Sequence, residues 1–391
     1  MDDEYLSIRV GHETAYVRKD RLDALRETDA AIFDCDGVLI DTRVSYRECI
    51  VETVKYLISG LTNVKLPPDV VLREVTHILK QSGGFNNDWD TAYVISLFFL
   101  SQMPEAFREE FIAVTQTHAI REGTLRERFD YVTGTIQSKP TGFRIGMDEL
   151  VVKMKQRARI ADVSGVEGVE RKAPDSERAM VSATKRFLNY PGNVRESLVS
   201  TIFDELFYGP KLFEEIHGRE RQFYYGRGYV ELEREAVLVT DEVIEELARA
   251  IGRRHFGIVS GRDRLSARFS LQGILDKFKQ EAMIFLMDSK YLNGLNEEER
   301  KRLRKPDPYP LLKSCRGLEP FKYSLYVGDS AEDMIMVRRA NELDPRFVSV
   351  GVYSLSDYSE GLTSYFFKTK TDVIVPSIIE LPQLLREVKK Q

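Results

Sequence analysis

The sequence predicts an α/β protein, a parallel-sheet core interrupted by a large, mainly helical insertion. Three observations carry this. Apolar runs at residues 31–33, 256–259 and 323–327 each break off into polar residues and a glycine. The segments around the second and third runs have helical periodicity, and strands alternating with helices build parallel sheets. Between the first run and the second, from about residue 43 to residue 230, the pattern is almost wholly helical.

At the N-terminus, Leu6-Ser7-Ile8-Arg9-Val10 and Ala15-Tyr16-Val17-Arg18 alternate like strands around Gly11-His12-Glu13, as a hairpin would. A short helix follows at 21–26, and residues 1–28 read as an extension without chemistry of their own. Ala31-Ile32-Phe33 is a short buried strand that ends in Asp34 and Asp36, with Gly37 marking the turn. Helices are expected at 43–61, at 67–81 with proline in the first turn, at 89–102 and at 104–121. Residues 162–175, rich in glycine, serine and acids, read as an exposed loop. Residues 218–229 mix aromatics with basic residues. A return linker with aromatics packed at a domain seam is the preferred reading, over single-stranded nucleic-acid binding. A helix at 241–251, the strand ending at Ser260, a helix from Asp263, a helix at 331–340, a last strand at 373–375 and a last helix at 381–389 complete the pattern. The expected boundaries are 1–28 for the extension, 29–43 with 231–391 for the core, and 44–230 for the insert. Sites in parallel sheets lie at the carboxyl ends of the strands, where Asp34, Ser260 and Asp329 fall.

A chain of 391 residues suits two domains. A net charge of −5 gives no sign of a nucleic-acid or anionic-membrane surface. No apolar stretch is long enough to span a bilayer, and residues 92–100 are among the longest. The acidic start, Met1-Asp2-Asp3-Glu4, lacks the features of a signal peptide. The 3 cysteines are too few and scattered for a disulfide framework, so a cytoplasmic protein is expected. Cys35 lies between the two aspartates but faces away from them on a strand, as a structural thiol. The 5 histidines show no metal-ligand spacing.

Carboxylates at the end of a buried strand are costly unless paired or bound to a metal. Residues i and i+2 of a strand share a face, so Asp34 and Asp36 can enter one site. Crowded carboxylates resist ionising together unless a cation offsets them, and a hard divalent ion with oxygen ligands, Mg²⁺, suits them. Solvated or capping aspartates are the bland alternative for this stretch taken alone.

The later runs add Val259-Ser260-Gly261-Arg262, then Lys305-Pro306-Asp307-Pro308, then Gly328-Asp329 with Asp333 four residues on. In this order the four motifs resemble the haloacid dehalogenase superfamily of phosphohydrolases. The resemblance covers about half the chain, the first motif and roughly 231 to the C-terminus, and implies a Rossmann-like core. It implies that Asp34 attacks phosphorus and that Asp36 protonates the leaving oxygen and then activates water. Branches that act on carbon–halogen bonds lack the second acid, so Asp36 argues for phosphoryl transfer. Ser260 and the N–H groups that follow, from Gly261 on, match the phosphate-binding motif. Lys305 matches the cation of the third motif. Lys301, in the charge run 296–305, competes with it, but Pro306 takes Lys305 out of helical geometry. Asp34, Asp36, Asp329 and Asp333 match the metal-binding acids, with Asp333 acting through water or through Lys305.

In one branch of the superfamily a helical cap is inserted after the first motif. The insert here is far longer, and its 125–190 portion has no recognised counterpart. Phe85, Asn86, Asn87 and Asp88 lie where such caps present a specificity loop. A helix start, with Asn87 or Asp88 as the cap and Trp89 as an anchor, is the structural alternative. The resemblance implies a Mg²⁺-dependent phosphomonoesterase acting on a small phosphorylated metabolite through a phosphoaspartyl intermediate. A phosphomutase or phosphotransferase shares the four motifs, and a binding or scaffold protein that kept the fold is a more distant alternative.

Overall fold

In the computed structural model the three apolar runs become adjacent parallel strands. The structure describes residues 4–62, 66–85, 87–118, 122–138, 146–232, 235–287, 302–354 and 359–390. The chain divides into two compact units, residues 1–43 with 235–391 and residues 44–234.

The first unit holds β1 (Tyr5–Val10), β2 (Glu13–Arg18), β3 (Thr28–Phe33), β4 (Ile40–Asp41), β5 (Ala236–Val237), β6 (Phe256–Ser260), β7 (Met283–Phe285), β8 (Tyr323–Gly328), β9 (Phe347–Val352) and β10 (Val373–Val375). One sheet runs in the order β1-β2-β10-β9-β8-β3-β6-β7. From β10 to β7 every neighbouring pair is parallel. The side chains obey the two-residue period of a sheet covered on both faces. Ala31 and Phe33 of β3 join one apolar cluster, with Leu325 and Val327 of β8 and Ile258 of β6. Ala30 and Ile32 join the other, with Tyr326 and Val259. The helices Asp241–Ile251, Arg264–Leu271 and Leu381–Lys390 supply Leu247, Leu271 and Leu384 to the first face. Tyr309–Arg316 and Ala331–Asn341 supply Leu311 and Met336 to the second. The fold is therefore a Rossmann-like α/β core.

The N-terminal hairpin forms as the alternation predicts, and it is part of this sheet rather than a separate appendage. β2 pairs antiparallel with β10, through Val373 opposite Val17 and Ile374 opposite Tyr16. Where the chain leaves the unit and where it returns, β4 and β5 form a two-stranded antiparallel ribbon, with Ile40 opposite Val237.

The second unit is helical among its described residues. Its helices include Arg43–Leu61, which starts at the boundary, Asp69–Gln81, Asp88–Ser101, Glu105–Val114, Leu125–Gln137, Met147–Arg159, Gly165–Arg171, Arg178–Leu188 and Leu198–His217. Asp88–Ser101 is buried from Thr91 to Ser101, as a helix enclosed by others must be. Residues 162–175, read as a loop, contain the helix Gly165–Arg171. The glycines there serve close packing: a Cβ on Gly84 would lie 2.6 Å from the backbone nitrogen of Gly165. Within 218–229, the N–H groups of Gln222, Phe223 and Tyr224 all donate to the buried Glu205 carboxylate at 2.7, 2.8 and 2.8 Å. Phe223 is buried and packs against Tyr56 and Phe129. The aromatic content of this segment is thus used for packing.

Candidate active site

Strand register brings the motifs together. Phe33 of β3 lies opposite Val327 of β8 and Ile258 of β6. Asp34, the next residue, donates its N–H to the Val327 carbonyl at 2.9 Å. Ser260 and Asp329 stand at the same carboxyl edge on the strands either side. The turn beyond Asp34 needs Gly37, whose φ is +75° and whose Cβ would lie 1.9 Å from Asp329 Oδ2. Asp329 therefore rests against the turn that carries Asp36, and no side chain fits between them.

Lys305 sits in the turn before the helix Tyr309–Arg316, and its Nζ lies 2.8 Å from both Asp34 Oδ2 and Asp333 Oδ1. The Cys35 N–H donates to Asp34 Oδ1 at 2.7 Å. Asp333 is fully buried in the first turn of Ala331–Asn341, where it forms a capping box with Ser330. It accepts from Ser330 Oγ at 2.6 Å and from the Tyr326 hydroxyl at 2.8 Å. Asp333 also accepts from Lys305 Nζ at 2.8 Å, the direct hydrogen bond that was one of the two roles weighed for it.

The electrostatics follow from these contacts. Burial raises the Asp34 carboxyl to about 7; Lys305 pulls the other way, while Asp333 and Asp36 add to the rise. Burial also raises Asp329 well above its ordinary value, with Asp333 and Asp34 adding to it. Asp333 is penalised by burial too, but the Lys305 ammonium and the hydrogen bonds from Lys305, Ser330 and Tyr326 more than offset this, so its net shift is downward. Burial alone would lower Lys305, yet Asp333 and Asp34 outweigh it and hold the ammonium charged. Burial, with Asp36 and Asp34 nearby, pushes the Cys35 thiol up, which makes it an inert structural residue.

Carboxylate oxygens of Asp34, Asp329 and Asp333 lie within 4.8 Å of one another. Three acids facing one lysine leave excess negative charge, and the donors are all hard oxygens, so the residues fit a hard divalent cation. The Asp36 carboxylate is not in this group, and its Oδ1 accepts from Arg262 Nη1 at 3.1 Å. The Ser260 hydroxyl is buried and accepts from the Arg262 N–H at 3.2 Å. Gly261 has open space where a Cβ would stand.

The residues expected to form a specificity loop lie in the helical unit. Asn86 is outside the described residues, as is Lys301. Phe85 is fully buried, as a core residue would be. Asn87 caps Asp88–Ser101 by accepting from the Trp89 N–H at 2.9 Å. Asp88 pairs with Lys80 at 2.7 Å, and Trp89 Nε1 donates to Asp204 at 3.1 Å. Asn87→Ala is therefore expected to lower stability by about 1 kcal/mol. It should leave the ratio of kcat/KM between different phosphate esters unchanged. A changed ratio at unchanged Tm would return this loop to substrate contact.

Arg262 and Tyr326 were passed over by the sequence reading. Both stand inside runs quoted for other residues, Arg262 two places beyond Ser260 and Tyr326 within the strand before Asp329. The signal for Arg262 was its position after Ser260-Gly261; Tyr326 reads as a core residue by alternation.

Acids gather at the carboxyl edge of a parallel sheet, and the family comparison gives the class, hydrolase. The family profile of haloacid dehalogenase-like hydrolases matches residues 28–341. The chain belongs to that family. Among solved structures it is similar to "Phosphatase Tt82 from Thermococcus thioreducens", with 18% sequence identity and a TM-score of 0.48, over 85% of this chain and 98% of that one. No curated protein matches it. Among the described residues, no helix is long and apolar enough to cross a membrane.

Proposed function

We propose that the protein is a Mg²⁺-dependent phosphomonoesterase that acts on a small phosphorylated metabolite through a phosphoaspartyl intermediate on Asp34. The observation that carries this reading is Lys305 Nζ, 2.8 Å from both Asp34 Oδ2 and Asp333 Oδ1 at the carboxyl edge of the sheet. A buried ammonium there holds the nucleophile in place and offsets charge on an incoming phosphoryl group.

An Asp34 carboxylate oxygen bonds to phosphorus as the P–O bond to the leaving group breaks. Asp36, as the acid, gives its proton to the departing oxygen. Water then bonds to phosphorus, its proton goes to the Asp36 carboxylate, and the bond between Asp34 and phosphorus breaks to release phosphate. The Ser260 hydroxyl and the Gly261 N–H bind the phosphoryl oxygens. Asp333 acts on Lys305 rather than on substrate. Asp34 and Asp329, with Asp333 beside them, would hold Mg²⁺, which would supply positive charge for the approach of the anionic phosphoryl group.

The test is a screen of phosphorylated metabolites with Mg²⁺, reading phosphate release, then repeated in excess chelator. Release from some esters, lost on chelation and restored by Mg²⁺, is expected. Full turnover with the metal verifiably removed would overturn metal dependence. An isomerised phosphate ester without net release would make the protein a mutase.

A further inference from the structure

Beside the site the sheet unit buries an ion pair that packing alone does not require. Arg262 leaves the end of β6 with its side chain only 1% exposed. Nη1 donates to Asp36 Oδ1 at 3.1 Å, Nη2 to Glu235 Oε1 at 2.5 Å, and Nε to Ser266 Oγ at 3.1 Å. Glu235 is 3% exposed and also accepts from Ser270 Oγ at 2.5 Å. Ser266 and Ser270 lie one turn apart on the helix Arg264–Leu271, so one helical face fixes both members of the pair. The helix is itself anchored, because Asp263 caps it by accepting from the Ser266 N–H at 2.8 Å.

A rigid guanidinium fork held at Nε and Nη2 leaves Nη1 with little freedom. That donor points at Asp36, whose side chain is 28% exposed and stands on a turn rather than inside a strand. A carboxyl group that must serve two oxygens in succession needs fixing against rotation, and Arg262 offers it a donor that is itself held by Ser266 and Glu235. Burying an arginine and a glutamate is costly relative to an apolar pair of similar volume, which points to a role other than stability.

We propose that Arg262 is a positioning residue. It fixes the Asp36 carboxyl group for proton transfer to and from the reacting oxygens, and Glu235, Ser266 and Ser270 fix Arg262. This rests on the phosphatase reading above, which gives Asp36 its role.

The experiment compares wild type, Asp36→Asn, Arg262→Ala, Arg262→Lys, Glu235→Gln and the double variant Arg262→Ala/Asp36→Asn. Substrates are p-nitrophenyl phosphate, whose leaving group barely needs a proton, and glycerol phosphate, whose alkoxide does. Arg262→Ala should lower kcat/KM on glycerol phosphate about 10²-fold, the scale of a misplaced catalytic group, and much less on p-nitrophenyl phosphate. The double variant should be no slower than Asp36→Asn, because the two residues act as one unit. Arg262→Lys, or guanidinium added to Arg262→Ala, should recover part of the loss. Glu235→Gln should show the same substrate bias in milder form, and it carries the comparison if Arg262→Ala does not fold. Equal losses on both esters, additive with Asp36→Asn, would overturn the positioning role and leave the phosphatase reading intact. Wild-type turnover in Asp36→Asn, or no phosphate release by wild type, would overturn that reading and this inference with it.

Discussion

Asp34→Asn should leave a folded protein whose phosphate release falls by roughly 10⁴–10⁶-fold, the scale of removing a nucleophile. The amide keeps the shape and can still accept from the Cys35 N–H, now at 2.7 Å from Asp34 Oδ1. It cannot form the acyl phosphate. Lys305 keeps its second partner, Asp333, at 2.8 Å, so no buried cation is stranded. A stability readout separates this from a general defect. Burial raises the Asp34 carboxyl to about 7, above the usual carboxylate range. In metal-free protein the folded state therefore holds a proton that the unfolded chain releases near pH 4. The contribution of this group to stability is present below that pH and is lost as pH rises toward 7. Asparagine has no such loss. In chelator near pH 7.5 the variant should melt above wild type. Mg²⁺ should raise the Tm of wild type and raise that of the variant less, because binding to the native state alone stabilises it. A Tm that Mg²⁺ moves equally in both proteins would remove Asp34 from the cation site.

The placement of the candidate residues was legible where it is local. Asp34, Ser260 and Asp329 end apolar runs, and strand-end polar residues in a parallel sheet point to one edge whatever the rest of the chain does. Lys305 was legible through Pro306, which set it apart from the charge run before it. Asp36 was legible as a residue but not in its contact. Arg262 finds Asp36 and Glu235 only after the chain has passed through 191 residues of helical insert, residues 44–234. Nothing in Glu235 distinguishes it from its acidic neighbours Glu231 and Glu233 in the sequence. Tyr326 alternates correctly as a core residue, and its hydroxyl reaches Asp333 only because Ala331–Asn341 packs on that face. The hairpin at 5–18 showed its own period, but its docking beside β10 depends on which sheet edge is open, a property of the assembled sheet. The helix Gly165–Arg171 was hidden by glycines that lower helix propensity and that close packing on Gly84 requires. Asn87 is the local case: it caps its helix through the Trp89 N–H two residues on, the structural alternative that the segment itself offered.

Lys305→Ala should damage both activity and stability, and the two effects should separate. Its Nζ is the shared partner of Asp34 and Asp333, and its side chain is only 9% exposed. Removing it leaves two buried carboxylates facing each other beside Asp329. Breaking a buried pair in this way costs about 3–5 kcal/mol, because the orphaned charge keeps its desolvation penalty. Adding Asp333→Asn removes one orphan, so the double variant should melt above Lys305→Ala. It should not regain turnover, because the positive charge next to the nucleophile is still missing. Lys305→Arg should keep most of the stability and little of the activity: a planar fork cannot place one point charge between two oxygens that a single ammonium reaches. Lys301→Ala should behave as wild type in both measurements. Thermal melts and phosphate release from wild type, these four variants and Asp333→Asn alone decide the matter. Loss of turnover in Lys301→Ala with a normal rate in Lys305→Ala would transfer the third motif to Lys301. Strict additivity of Lys305→Ala and Asp333→Asn in Tm would mean that the two side chains do not share a charge balance, and the contact at 2.8 Å would carry no coupling.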